Sequence, residues 1–406
     1  MNMPADEVLF LAHRIPWPPD RGDRIRSWHL LRALASRARV HCGCLVEGKI
    51  APAQVEAISG VTDSWCVARR SSSLRLAAIA ALASGRPISV AAFSSEQLRR
   101  WVQEILAERP IATIFAFSGQ MAQYVPDDFR GRVVMDFVDV DSAKFAAYGA
   151  TARSWMVRAI HTREARVLSA FEQRAAHRAD LSLLVSAQER DLFVSRLTDP
   201  AGVAVAALGN GIDTQYFSPE AVLPEPARTA PQIVFTGQMD YAPNVAAVDA
   251  FARAVMPAIR AHYPDAAFTI VGRAPTAPVR ALDGLSGTRV TGEVPDVRPW
   301  LAAADVVVAP LLIARGVQNK VLEAMAMARA VVLTTAAATG IGGTDGVHFA
   351  IADDAGSQAE RVLALIEDRA AACAMGAAAR AFVLAHAGWD TVLAPLPAMM
   401  GWADAA

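Results

Sequence analysis

The residues best suited to chemistry in this 406-residue chain lie in the run Arg315-Gly316-Val317-Gln318-Asn319-Lys320-Val321-Leu322-Glu323-Ala324-Met325-Ala326-Met327. It follows ADVVVAP (304–310), a continuous apolar run that reads as a buried strand. Gln318, Asn319 and Lys320 then fall in the first turn of a helix, where free backbone N–H groups and the helix dipole favour phosphate. Lys320 adds a point charge. Glu323, three residues on, lies on a nearby face and can accept two hydrogen bonds from a ribose diol. A solvated i,i+3 ion pair fits the same spacing. A second candidate is the loop HRIPWPPDRGDRIRS (13–27) after the apolar strand EVLFLA (7–12). Gly22 would let backbone N–H groups approach a phosphate there. A plain turn capped by Ser27 fits equally well, and the loop lacks the GxGxxG dinucleotide pattern. The third is Met135-Asp136-Phe137-Val138-Asp139-Val140-Asp141-Ser142. If the strand continues through it, Asp139 and Asp141 share a side and offer two carboxylates for general acid–base work. Capping of the following helix is the competing role.

These segments need a scaffold that alternates strand and helix. RVHCGCLV (39–46), IATIFAF (111–117), RVVMDFV (132–138), LSLLVS (181–186) and VAVAAL (203–208) read as strands of a first half. PQIVFTG (231–237), AFTIVG (267–272), TRVTG (288–292), ADVVVAP and AVVLTT (330–335) read as strands of a second. Helices are expected at 27–38, 152–179, 244–261, 318–328 and from about 357 onward. Continuous apolar strands, each followed by a helix, indicate α/β architecture with parallel sheets covered on both faces. Two such units in tandem predict two Rossmann-like lobes facing a cleft. The expected boundaries are 1–208, a proline-rich linker over 209–230, a second lobe over 231–385, and a C-terminal helix over 386–406 that packs back on the first lobe.

Composition narrows the class. Hydrophobic residues make up 53% and charged residues 19%, which excludes a disordered chain. The net charge of −1 conceals an asymmetry: 1–205 carries 26 basic and 21 acidic side chains, and 206–406 carries 13 and 19. Only Lys49, Lys144 and Lys320 are lysines. The first ten residues lack a basic leader, and no run reaches the roughly 18 apolar residues of a membrane span, so a cytoplasmic protein is expected. The four cysteines have no second ligand pair, so buried reduced thiols are expected and no metal. The arginine-rich 152–179 segment (Arg153, Arg158, Arg163, Arg166, Arg174, Arg178, with Trp155 and Met156) and the apolar 74–85 predict transient association with the inner membrane face. No nucleic-acid module is present, and none is expected as partner.

Taken in order, the glycine loop after the first strand, NGID (210–213) followed by YFSP, FTG (235–237), IVGRAP (270–275), VTGEVPDVRPWLAAADVVVAP (290–310) and GVQNKVLEAMAM (316–327) resemble the family 4 glycosyltransferases, retaining enzymes of the GT-B fold. HRIPWPPDRGDRIRSWHLL with GVQNKVLEAMAM resembles, more narrowly, bacterial sugar transferases associated with PEP-CTERM/exosortase exopolysaccharide loci. The resemblance implies a hexosyltransferase-type enzyme that moves a sugar from a nucleotide-sugar donor to a glycan or lipid-linked acceptor, with no metal or other cofactor. It implies that Glu323 binds the ribose and Gly237 underlies the diphosphate. Gly292, Glu293 and Val294 would hold the base. Arg273 and Lys320 would neutralise the leaving diphosphate, with Gly22 completing the phosphate contacts. Asp139, Asp141 and Lys320 would carry the chemistry, and Gly316, Gln318 and Asn319 would line the donor site. Two departures stand out. Arg315 occupies the position of the family's first glutamate, which predicts a contact with diphosphate or with the carboxylate of an acidic sugar. The run after FTG, Gln238 to Asn244, lacks the usual bases. A sugar-nucleotide epimerase on the same fold, or a non-catalytic sugar-nucleotide-binding component of polysaccharide assembly, are the alternative functions.

Overall fold

A computed structural model describes residues 7–70, 81, 84–152, 154–220, 230–314 and 317–402. The chain divides into two compact units, 1–209 with 393–406, and 210–392. The first unit is built on seven strands: β1 (Glu7–Ala12), β2 (Arg39–Val46), β3 (Ser64–Arg69), β4 (Ile111–Phe117), β5 (Arg132–Val138), β6 (Leu181–Leu184) and β7 (Val205–Ala207). Their order is β3-β2-β1-β4-β5-β6-β7, and every neighbouring pair is parallel. All six residues of β1 are buried, as a strand covered on both faces requires. The C-terminal end of the chain belongs to this unit: Met400 is buried, and the Met399 carbonyl accepts two bonds from Arg132.

The second unit holds β8 (Gln232–Thr236), β9 (Ala267–Val271), β10 (Thr288–Gly292), β11 (Val306–Ala309), β12 (Val331–Leu333) and β13 (Ala350–Ile351). The order is β10-β9-β8-β11-β12-β13, again all parallel. Its core centres on Phe235, Phe251, Phe268 and Met325, with the Phe251 and Phe268 rings 4.7 Å apart. Ile212 is buried in this unit and bridges to Gly388. In both units the strand order reverses beside the first strand, between β1 and β4 and between β8 and β11. Open parallel sheets bind ligands at the carboxyl ends of the strands at such a switch point.

Several helices depart from expectation. The first starts at Gly22 and ends at Ala35, so Ser27 is buried inside it and donates to the Arg24 carbonyl rather than capping. The arginine-rich helix expected over 152–179 runs from Trp155 to Arg178; an unexpected helix, Asp141–Thr151, precedes it and ends where Ala152 takes extended backbone angles. The helix expected over 244–261 starts at Ala242 and passes through a π turn, Phe251–Val255, before Met256–His262. Pro257 has no N–H for the i→i−4 ladder, which accounts for the irregular turn before it. The short β13 carries too little apolar sequence to read in advance.

Candidate active site

In the second unit, three glycines close the ends of neighbouring strands. Gly237 follows β8, Gly272 follows β9 and Gly292 ends β10. The Gly237 N–H donates to Val271 and the Gly272 N–H to Gly292. A Cβ on Gly272 would fall 1.6 Å from the Gly237 carbonyl oxygen, so only glycine lets these two backbones approach. A Cβ on Gly237 would stand 2.9 Å from Asn244 Nδ2 and 3.0 Å from Lys320 Nζ. The space above Gly237 is thus occupied by an ammonium.

That ammonium comes from the helix Asn319–Ala326, which follows β11 across the switch point; Gln318 caps it and Asn319 is its first residue. Lys320 Nζ donates to Asn244 Oδ1 at 2.6 Å and lies 4.3 Å from the Phe235 ring centroid. Burial pushes Lys320 down to about 8, with the Glu323 carboxylate opposing. Glu323 is half-buried, and its carboxyl has no hydrogen-bond partner among the described residues. Burial pushes it up to about 7, with Lys320 opposing. An acceptor-rich carboxyl without partners next to a cation at a strand-end switch point suits a ligand that brings hydroxyls and an anion together.

Arg273, at the end of β9, is exposed and donates to Gln238 Oε1 at 3.0 Å. Glu293 is exposed and Val294 is partly buried against the core, in the loop after β10. Gly237, Arg273, Gly292, Gln318, Asn319, Lys320 and Glu323 therefore gather at the carboxyl ends of β8 to β11. Arg315 and Gly316 lie outside the described residues.

The first unit has its own polar cluster at the ends of β1, β4 and β5. Gly22 opens its helix with no atom within 4 Å of an added Cβ, so packing inside this unit does not demand glycine. Beside it, Asp23 accepts from Arg14 at 2.8 Å and lies 3.3 Å from His13 Nε2. Burial works against its charge, but the bonds from His13 and Arg14 outweigh it and hold the carboxyl well below the usual range. Deeper in, Arg26 and Asp136 form a fully buried ion pair at 2.8 Å, and Arg26 also donates to the Gly209 carbonyl at 2.7 Å. Burial nonetheless raises the Asp136 carboxyl, with Arg26 opposing.

β5 does not continue through the aspartates. It ends at Val138, whose φ of 69° is strained for a β-branched residue and whose N–H bonds back to Asp136. Asp139 sits in the turn and Asp141 opens the next helix, and neither side chain caps it, since Val140 is the cap. Lys144 brings the two together, donating to Asp139 at 2.7 Å and Asp141 at 3.2 Å. Gln120, held by Ser118, donates to Asp141 at 3.1 Å. Behind them, buried Glu172 accepts from the Ser142 N–H and is pushed up to about 7 by burial.

Sequence reasoning missed Lys144, Gln120, Arg26 and Asn244 as members of these clusters. The i,i+3 spacing of Asp141 and Lys144 was a usable signal. The buried bonds of Arg26, Gln120 and Asn244 span 76 to 110 residues or depend on a strained turn, and leave no local trace. No group of three metal-ligating side chains occurs among the described residues.

Residues 230–368 match a family model described as glycosyl transferases group 1. No curated protein matches by sequence. Among solved structures, the chain is similar to sucrose-phosphate synthase from Thermosynechococcus elongatus, at 16% identity over 97% of this chain and 98% of that one, with a TM-score of 0.64. It is similar to HepE from Anabaena, solved with UDP, at 14% identity over 97% and 99% and a TM-score of 0.65. It is also similar to WaaG, a glycosyltransferase involved in lipopolysaccharide biosynthesis, at 15% identity over 97% and 100% and a TM-score of 0.63. The chain has the GT-B fold, and its second unit carries a glycosyl transferases group 1 domain across the Gly237–Lys320–Glu323 site.

Proposed function

We propose that the protein is a retaining glycosyltransferase that moves a sugar from a nucleoside-diphosphate sugar to a saccharide acceptor. The observation that carries this reading is Glu323, half-buried and unpartnered among the described residues, one helical turn from the Lys320 ammonium above Gly237. A ribose diol would meet the carboxylate while the diphosphate meets the ammonium, the Asn319 helix N-terminus and the strand-end glycines. Stabilising the departing diphosphate is the larger part of such catalysis. Lys320 and Arg273 supply that charge, and Glu293 and Val294 border the base. Solved HepE complexes with UDP and with UDP-glucose support uridine as the first base to try. In the first unit, Asp139 and Asp141, held by Lys144, orient the acceptor hydroxyl.

The finer reading follows the same lines. Retention, and a role in exopolysaccharide or cell-surface glycan synthesis, rest on the motif resemblance; the likeness to WaaG fits them. A lipid-linked acceptor is favoured by the start of the Trp155–Arg178 helix, where Trp155 is 77% exposed and Met156 and Ile160 are exposed beside Arg158 and Arg166. Such a surface suits transient contact with anionic lipid. Among the described residues no helix is long and apolar enough to cross a membrane. Residues 74–80, 82, 83 and Arg153, also invoked for this contact, lie outside the described residues. Co-sedimentation with anionic vesicles at low salt should occur and should fall with Trp155→Ser; no binding ends the membrane claim. Arg315 would set donor choice, so Arg315→Glu should change donor preference.

The deciding assay incubates the protein with UDP-, GDP-, ADP- and dTDP-sugars, with and without saccharide acceptors, and follows nucleotide release and the anomeric protons of the product by NMR. Acceptor-dependent release with the donor's anomeric configuration kept is the expected result. Inversion refutes retention, and isomerised donor without acceptor points to an epimerase.

A further inference from the structure

The connection from β8 to the Ala242–Ala250 helix has no lysine or arginine, yet two cations meet it. Lys320 comes from the element after β11 and Arg273 from the end of β9, the two strands that flank β8. Each is bound by an amide oxygen of this segment, Lys320 Nζ by Asn244 Oδ1 in the first turn of the helix and Arg273 Nη2 by Gln238 Oε1 in the connection. Both amides are fixed in direction by their other end. Asn244 Nδ2 donates to the Gln238 carbonyl at 2.8 Å, and Gln238 Nε2 donates to Asp240 Oδ1 at 2.6 Å. Flipping Asn244 would lose both its bonds and aim N–H donors at an ammonium. Asn244 is only 5% exposed, so its orientation is also fixed by packing.

The choice of an amide has a consequence for charge. A carboxylate at position 244 would pair with Lys320 and cancel the charge that an incoming phosphate needs. An amide oxygen holds the ammonium, favours its protonated form, and leaves its charge available. It also removes the rotamer freedom that a lysine would otherwise lose on meeting a ligand. Because burial already pushes Lys320 down to about 8, with Glu323 opposing, a bond to the protonated form bears on its charge near neutral pH.

We propose that Asn244 is a positioning residue that tethers the Lys320 ammonium above Gly237 with its charge intact for the donor diphosphate, and that Gln238 does the same, more loosely, for Arg273. The inference rests on the nucleotide-sugar reading of this site.

The three lysines make the tether directly observable. With [13Cε,15Nζ]-lysine labelling, three side-chain signals are expected, and Lys320 is assigned by its loss in Lys320→Met. Asn244→Leu should move the Lys320 titration midpoint downward and speed its ammonium proton exchange about tenfold, while Asn244→Asp, an isosteric change, should move the midpoint up. In parallel, UDP and uridine affinities are measured by calorimetry. Asn244→Leu should weaken UDP about tenfold and leave uridine unchanged. In a Lys320→Met background the same change should have no further effect on UDP. An unchanged Lys320 signal in Asn244→Leu overturns the tether. Equal weakening of UDP with and without Lys320, or of uridine as much as UDP, overturns the positioning role in favour of a merely structural one. If the wild type binds neither UDP, ADP, GDP nor dTDP, the nucleotide reading falls and takes the diphosphate half of the proposal with it; the lysine signal still decides the tether.

Discussion

Donor affinity should have a narrow pH optimum, set by two groups three residues apart. Glu323 must be ionised to accept two ribose hydroxyls, and burial pushes it up to about 7, with Lys320 opposing. Lys320 must be protonated to meet the diphosphate, and burial pushes it down to about 8, with Glu323 opposing. Both conditions hold together only between these values. At pH 6 about one Glu323 in ten is ionised, and at pH 9 about one Lys320 in ten is protonated, so affinity should fall about sixfold on each side of its maximum near pH 7.5. The assay is calorimetric titration with UDP-glucose, whose diphosphate diester has no group titrating near 6. Glu323→Gln should lower affinity by about 2 kcal/mol at pH 7.5 and flatten the acid limb. Lys320→Met should flatten the alkaline limb. An acid limb that survives Glu323→Gln, or a wild type with no pH dependence between 6 and 9, would refute the reasoning.

Three further outcomes follow from packing and burial. Gly272→Ala drives a Cβ to 1.6 Å from the Gly237 carbonyl oxygen, a backbone atom that cannot swing aside as a side chain would; it should destabilise the second unit by about 3 kcal/mol or more in urea unfolding, or prevent its folding. Arg26→Met leaves Asp136 buried without its ion partner and should cost the first unit about 3–5 kcal/mol by the same measurement. Glu172 is raised by burial from 4.5 to about 7, so the folded state keeps a proton that the unfolded chain has lost; its stabilising contribution is complete below 4.5 and is lost as pH climbs through about 7. Wild type should therefore lose about 3 kcal/mol relative to Glu172→Gln between pH 4.5 and 7.5, read as a diverging pair of thermal midpoints; parallel curves would contradict this.

Most of the parallel strands were legible because burial on both faces writes continuous apolar runs, as in β1 and β11; β3, whose SWCVAR mixes polar and apolar residues, and the two-residue β13 were not. The cluster of the second unit was legible too, because Gly237 sits at the end of a strand and Lys320 in the first turn of a helix with Glu323 three residues on, where local sequence determines position. The carboxylate cluster of the first unit was half legible. Asp139 and Asp141 were visible, but their expected alternation failed at Val138, a β-branched residue with positive φ whose N–H turns back to Asp136, and no turn residue marks the place in the sequence. Arg26, a surface residue by type, is the largest fully buried side chain among the described residues, paired with a partner 110 residues away. Asn244 read as part of a run lacking bases, and its bond to Lys320 appears only once the Asn319 helix stands behind β11, beside β8.

The most direct test of the central claim is the affinity of the intact protein for a panel of UDP-, GDP-, ADP- and dTDP-sugars, measured beside Lys320→Met and Glu323→Gln. One nucleotide sugar should bind in the micromolar range and lose about tenfold or more in each variant. No binding by any of the four, or binding that both variants leave undiminished, would contradict the account.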